Sequence, residues 1–171
     1  MNSAASDPDP ASAPVPALPE TAAWLELDRQ LCFALYSASL AMTKRYRPLL
    51  DALGLTYPQY LVMLVLWERD GLGVGELGER LSLDSGTLTP LLRRLEGAGL
   101  LERHRSRDDE RRVTVVLSAA GQALKARAGE IPRRIAASTG CSLDELAALR
   151  DELARLRTAL LQSPPGPRAA P

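Results

Sequence analysis

Asp84-Ser-Gly-Thr-Leu-Thr-Pro-Leu-Leu-Arg-Arg-Leu-Glu-Gly-Ala-Gly-Leu-Leu101 is the stretch on which the fold turns. Asp84 and Ser85 are residue types that cap helix N-termini, so a helix begins there and runs to the Gly97–Gly99 break. Just before it, Val74 to Leu81 reads as a shorter helical segment. Two helices with a tight link, the second polar on its leading turn, form a helix-turn-helix. After Gly99 the pattern changes. Residues 100–105 and 112–117 read as strands, the second being Arg-Val-Thr-Val-Val-Leu, with a charged loop between them. The loop is the wing of a winged helix. The fold expected is mainly α with a small β wing.

Working outward, a Leu- and Val-rich helix spans Pro58 to about Arg69, with Thr56 or Tyr57 near its cap and Gly71 and Gly73 ending it. The first helix is expected from Ala22 to Arg47, capped by Thr21 and stopped by Pro48. A short helix follows the proline, and Gly54 breaks the chain. On the other side, Ser118 caps a helix reaching about Ser138, which Pro132 kinks or splits. Ser142 opens the last helix, with Glu145 at capping-box spacing. Leu143, Leu146, Leu149, Leu153, Leu156 and Leu160 then recur every three or four residues. The terminal helices have no other core to bury against, so a helix-mediated homodimer is expected.

Residues 1–20 are rich in proline and alanine and read as a disordered tail, and 162–171 read the same way. The domain is expected to span 21–161. No apolar run approaches the ~18 residues of a membrane span, and the N-terminus has no basic segment followed by an apolar one. The cytoplasm is the default. Formal charge is zero, with 21 basic and 21 acidic side chains, which does not forbid nucleic-acid binding because local distribution matters more.

The candidate DNA-reading residues follow from the helix and wing. Ser85, Thr87 and Thr89 put short hydroxyls on the leading turns of the second helix, able to approach phosphates or base edges. Its N-terminus offers backbone N–H groups to a phosphate. Arg93 and Arg94 follow. Arg105, Arg107 and Arg111 lie on or beside the wing, where a positive finger can enter a minor groove. The competing reading of the wing is a solvated charged turn.

The two cysteines, Cys32 and Cys141, are too few for a disulfide scaffold and too few for a zinc site alone. No cofactor is called for. Cys32, within Gln-Leu-Cys-Phe-Ala-Leu-Tyr, is either a small buried hydrophobe or a reactive thiol. Tyr46 lies about four turns further along the same helix, ~21 Å away and out of hydrogen-bond reach within one straight helix. Across an antiparallel pair of first helices, Tyr46 of one subunit could meet Cys32 of the other, joined by Tyr57. Two phenol hydroxyls would stabilise a thiolate, which attacks a peroxide O–O bond. Cys141, just before the last helix, is either a packing residue or a resolving cysteine.

The runs Leu27-Asp-Arg-Gln-Leu-Cys-Phe-Ala-Leu-Tyr36 and Leu83-Asp-Ser-Gly-Thr-Leu-Thr-Pro-Leu-Leu-Arg-Arg-Leu-Glu-Gly-Ala-Gly-Leu-Leu101, with the Asp-Asp-Glu-Arg wing, resemble the MarR family. The likeness is strongest to its organic hydroperoxide resistance regulators, over roughly Leu27 to Leu161. The resemblance implies a homodimeric repressor that binds double-stranded operator DNA. It implies that Cys32 is the peroxidatic cysteine, that Tyr46 and Tyr57 donate hydrogen bonds to it across the dimer, and that organic hydroperoxide is the inducer. Cys141 matches the partner cysteine of the two-cysteine form, which closes an intersubunit disulfide. No membrane partner is implied. The rival readings are a MarR-type repressor controlled by a small phenolic or aromatic ligand, a thiol peroxidase, and a protein-interaction helix bundle. A non-enzymatic regulator is the reading preferred.

Overall fold

In the computed structural model, residues 25–105 and 113–163 are described. The chain falls into two units, Met1–Met42 and Thr43–Pro171. In the first, a 3-10 turn, Leu27–Arg29, is held by an ion pair from Arg29 to Glu26 at 2.8 Å. Gln30 is extended (φ −83°, ψ 115°), so the turn does not run into helix α1, Leu31–Asp51. The uninterrupted helix expected from Ala22 is therefore broken at Gln30, while Thr21 and Ala22 lie outside the described residues. Of the first unit's described residues none is buried.

The second unit opens with the end of α1. Pro48 sits inside this helix rather than ending it. Its ring leaves the Lys44 carbonyl without an i+4 donor, but only one turn follows. That turn is held by Leu50, which is 1% exposed and whose carbonyl accepts from Leu53 and Leu55 N–H. Gly54, at φ +70°, then reverses the chain.

Helix α2, Tyr57–Glu68, is buried on nearly every side, with Tyr60, Val62, Met63, Val65, Leu66 and Trp67 all in the core. Fully burying such side chains contributes roughly 1.5–3 kcal/mol each. Its start is fixed by Gln59, whose Oε1 accepts from Thr56 N–H at 2.8 Å and Thr56 Oγ1 at 3.0 Å. Helix α3, Val74–Leu81, ends where Ser82 takes a left-handed conformation (φ 55°, ψ 41°), and helix α4, Ser85–Gly97, begins after the N-cap Asp84. Gly78 makes this tight link possible, since a Cβ there would lie 2.9 Å from Leu83 O.

Strands β1 (Leu72–Gly73), β2 (Leu101–Arg105) and β3 (Val113–Leu117) form an antiparallel sheet in the order β1-β3-β2. Leu101 faces Leu117 and Arg105 faces Val113, while Leu72 faces Val115. The expected strands β2 and β3 are present. Strand β1 was not foreseen, because two residues between glycines carry no alternation. The stretch from Ser118 to Ser138 is two helices, α5 (Ala119–Ala128) and α6 (Ile131–Ala137), with Pro132 in the first turn of α6, where a missing N–H costs no helical bond. Helix α7, Leu143–Gln162, carries the expected Ser142–Glu145 capping box. It ends one residue past the expected boundary at 161. The tails at 1–20 and 164–171 lie outside the described residues. No helix among the described residues is long and apolar enough to cross a membrane.

Candidate functional site

Helix α4 presents two faces. Leu88, Leu92 and Leu95, at four- and three-residue spacing, are buried in the core. Ser85, Thr87, Arg93 and Arg94 are exposed and Thr89 is half-buried. Asp84 accepts from Thr87 N–H at 2.8 Å and Thr87 Oγ1 at 3.0 Å. These bonds hold its carboxyl below the usual carboxylate range. One of the N-terminal N–H groups expected to be offered to phosphate is thus already taken, and the Thr87 hydroxyl proton with it. The Ser85 side chain stays exposed at this end of α4, and the Thr87 hydroxyl keeps only its lone pairs.

Glu96, at the end of α4, binds Arg103 of β2 three times. Its Oε1 accepts from Arg103 N–H at 3.2 Å, and its Oε2 from Nε at 2.9 Å and Nη2 at 2.5 Å. The Arg103 guanidinium holds the Glu96 carboxyl below its ordinary range. The pair joins α4 to the base of β2, a role that sequence reasoning missed because no local signal marks Arg103 among the neighbouring arginines. Arg105 is exposed at the end of β2, and Arg107 and Arg111 lie outside the described residues. A cleft of about 760 Å³ runs between sheet and helices, with Thr89, Arg103 and Thr114 among its walls.

The redox candidates lie in both units. Cys32, in the first turn of α1, is exposed, as is Cys141, and both are free thiols. Cys141 follows Gly140 (φ +73°) and its S–H points to Thr139 O at 3.8 Å. Tyr46 and Tyr57 do come together: their rings are 4.8 Å apart and inclined at 49°. Burial, then the neighbouring Tyr57 and Tyr60 phenols, push Tyr46 up to about 12. Burial raises Tyr57 as well. Both phenols are thus held in the protonated form that can donate a hydrogen bond to an anion. Sequence reasoning missed the two aromatics behind them. Tyr60 stacks at 5.8 Å from Tyr46, and Trp67 meets Tyr60 edge-on at 6.2 Å. The signal was there: residues 57, 60 and 67 recur at helical spacing on α2.

A family model described as the SarA/Rot transcriptional regulators matches residues 44–128. The chain is 49% identical over 138 residues to the organic hydroperoxide resistance transcriptional regulator of Bacillus subtilis, covering 81% of this chain and 94% of that one. The chain belongs to the MarR-type winged-helix regulators, in their organic hydroperoxide branch. It is 54% identical over 134 residues to the transcriptional regulator TtmR of Methylorubrum extorquens, covering 78% of this chain and 69% of the relative. Among solved structures it is similar to AbfR of Staphylococcus epidermidis, reduced and bound to DNA, with 33% identity, a TM-score of 0.68, and coverage of 82% and 99%. The disulfide-formed AbfR matches with 32% identity and a TM-score of 0.58, covering 83% and 97%. These relatives are transcriptional regulators, which sets the thiol peroxidase reading aside.

Proposed function

We propose that the chain is a homodimeric repressor that binds operator DNA when reduced and leaves it when an organic hydroperoxide oxidises Cys32. Exposed leucines on the outer helices support the dimer: Leu31 and Leu40 on α1, and Leu149, Leu153 and Leu160 on α7. Two such subunits present two α4 helices to successive half-sites of a palindromic operator. Ser85, Thr87, Thr89, Arg93 and Arg94 meet the major groove, and Arg105, Arg107 and Arg111 the adjoining minor groove.

The observation that carries the redox reading is the pair of protonated phenols, Tyr46 and Tyr57, held ring against ring. They donate hydrogen bonds to the Cys32 thiolate of the other subunit. The thiolate sulfur attacks one peroxide oxygen and the O–O bond breaks. The leaving alkoxide takes a proton to become an alcohol, and Cys32 becomes a sulfenic acid. The Cys141 thiol of the other subunit attacks the sulfenic sulfur. A disulfide forms and water leaves. The new bond shifts the helices that carry the two recognition units, so their spacing no longer fits the DNA. No membrane partner takes part, and the cytoplasm, where thiols are kept reduced, suits such a sensor.

The test is binding to the promoter DNA of its own gene region, before and after one equivalent of cumene hydroperoxide, beside a non-reducing gel. Loss of binding with a disulfide-linked dimer is expected. Cys32→Ser should bind DNA and ignore the peroxide, and Cys141→Ser should lose the linked dimer. Release of Cys32→Ser by peroxide would refute the sensing role. Binding by the wild type that peroxide leaves unchanged would favour control by a small ligand.

A further inference from the structure

Trp67 is one residue that touches three parts of the second unit at once. Its ring meets Tyr60, which meets Tyr46, which meets Tyr57. Its Nε1–H donates to Gly121 O in α5 at 2.9 Å, a buried bond that spans the core. Its carbonyl accepts from Lys125 Nζ, one turn further along α5, at 2.7 Å. The end of α2 is thus clamped to the start of α5 from two sides.

Gly121 in turn has no slack against the turn that leaves α4. A Cβ on it would lie 2.0 Å from Leu100 O. Ser118 N–H donates to Leu100 O at 3.1 Å, Ser118 Oγ donates to Gly99 O at 2.6 Å, and Gly121 N–H donates to Ser118 Oγ at 3.0 Å. Gly99 and Leu100 close the last turn of α4, through bonds to Glu96 O and Leu95 O. An unbroken line of contacts runs from the two phenols to the exit of the DNA-reading helix. Packed interiors at this density pass displacement on rather than absorb it.

We infer that Trp67 is the positioning residue that couples the Tyr46–Tyr57 cluster to helix α4. When the phenols lose or change their partner, the indole shifts, Gly121 follows, and Gly121 moves the exit of α4. The input rests on the redox reading above, whereas the linkage rests on the contacts around Trp67. Trp67 itself touches neither peroxide nor DNA.

The experiment uses the full chain in three forms: wild type, Trp67→Phe, which keeps a ring but lacks the N–H, and Lys125→Met, which keeps the stem but lacks the clamp. The Kd for promoter DNA is measured for reduced protein and after one equivalent of cumene hydroperoxide, with the rate of Cys32 thiol loss followed in parallel. Trp67→Phe should bind DNA within about threefold of wild type when reduced and lose its thiol at the wild-type rate. Its ratio of oxidised to reduced Kd should fall by roughly tenfold, within the usual range of coupling between sites. Lys125→Met should move the ratio the same way by less. A merely structural role would weaken reduced binding and leave the ratio alone, and that result overturns the inference while the redox reading stands. A wild-type ratio of one overturns both. Should Trp67→Phe fail to fold by circular dichroism, Lys125→Met decides on the same criterion.

Discussion

Removing one hydroxyl, in Ser118→Ala, should cost this fold more than its size suggests. Ser118 caps α5 by accepting from Gly121 N–H at 3.0 Å, and it donates to Gly99 O at 2.6 Å. Losing an N-cap costs about 1 kcal/mol. Losing the second bond costs about another 1 kcal/mol. The sum is ~2 kcal/mol, which for a chain of this length lowers Tm by about 4–8 °C. Ser142→Ala is the comparison. Ser142 caps α7 at an exposed end and its side chain accepts one bond, from Glu145 N–H at 3.2 Å, so about half the loss is expected. Thermal melts followed by circular dichroism, at one fixed protein concentration because subunit association shifts Tm, make the comparison. A Ser118→Ala loss no larger than that of Ser142→Ala would refute the view that Ser118 joins α5 to the exit of α4.

Leu88→Ala, on the buried face of α4, should cost about 3 kcal/mol or more through lost transfer energy and the cavity left behind, seen as a lower urea midpoint with little change in slope. Arg93→Ala should leave the melt unchanged and lower the slope of log Kd against log salt for DNA by about 0.9, as one phosphate contact is lost; an unchanged slope would take Arg93 off the DNA face. The Tyr46 phenol, with its pKa raised from 10.0 to about 12, gives a pH dependence of definite sign. Between those values the folded chain keeps a proton that the unfolded chain releases. The stabilisation is therefore full below pH 10 and fades as pH rises toward 12. Urea titrations at pH 9 and pH 11 should show this fall, and Tyr46→Phe should reduce it.

The winged helix was legible because its signals are local. Ser118 and Ser142 cap the helices they were expected to cap, and of the two candidates Asp84 and Ser85 it is Asp84 that caps α4. Of the kink or split expected at Pro132, the structure has the split, with the proline in the first turn of α6, where it meets no steric conflict. Pro48 was misread because the reason to continue past it is tertiary: Leu50, two residues on, goes into the core. Strand β1 was invisible for the same kind of reason, being defined only by its pairing with β3. In the candidate site, Tyr46 and Tyr57 were picked out as phenols that could serve a thiolate, and the structure brings their rings together at 4.8 Å. Arg103 was not among the residues picked out, since nothing in a string of arginines marks the one that a glutamate on another element will hold. Asp84 was one of two candidate caps, yet its effect on the free N–H groups at the start of α4 required seeing that Thr87 gives it both N–H and hydroxyl.

Helix α4 keeps its leucines on one side and its arginines on the other. The residues that hold the helix in place are therefore not those proposed to meet DNA. Ser85, Arg93 and Arg94 can be exchanged without disturbing Leu88, Leu92 or Leu95. If those exposed residues meet DNA as proposed, a duplicated copy of such a gene acquires new targets by surface substitution alone, while its folding is inherited unchanged.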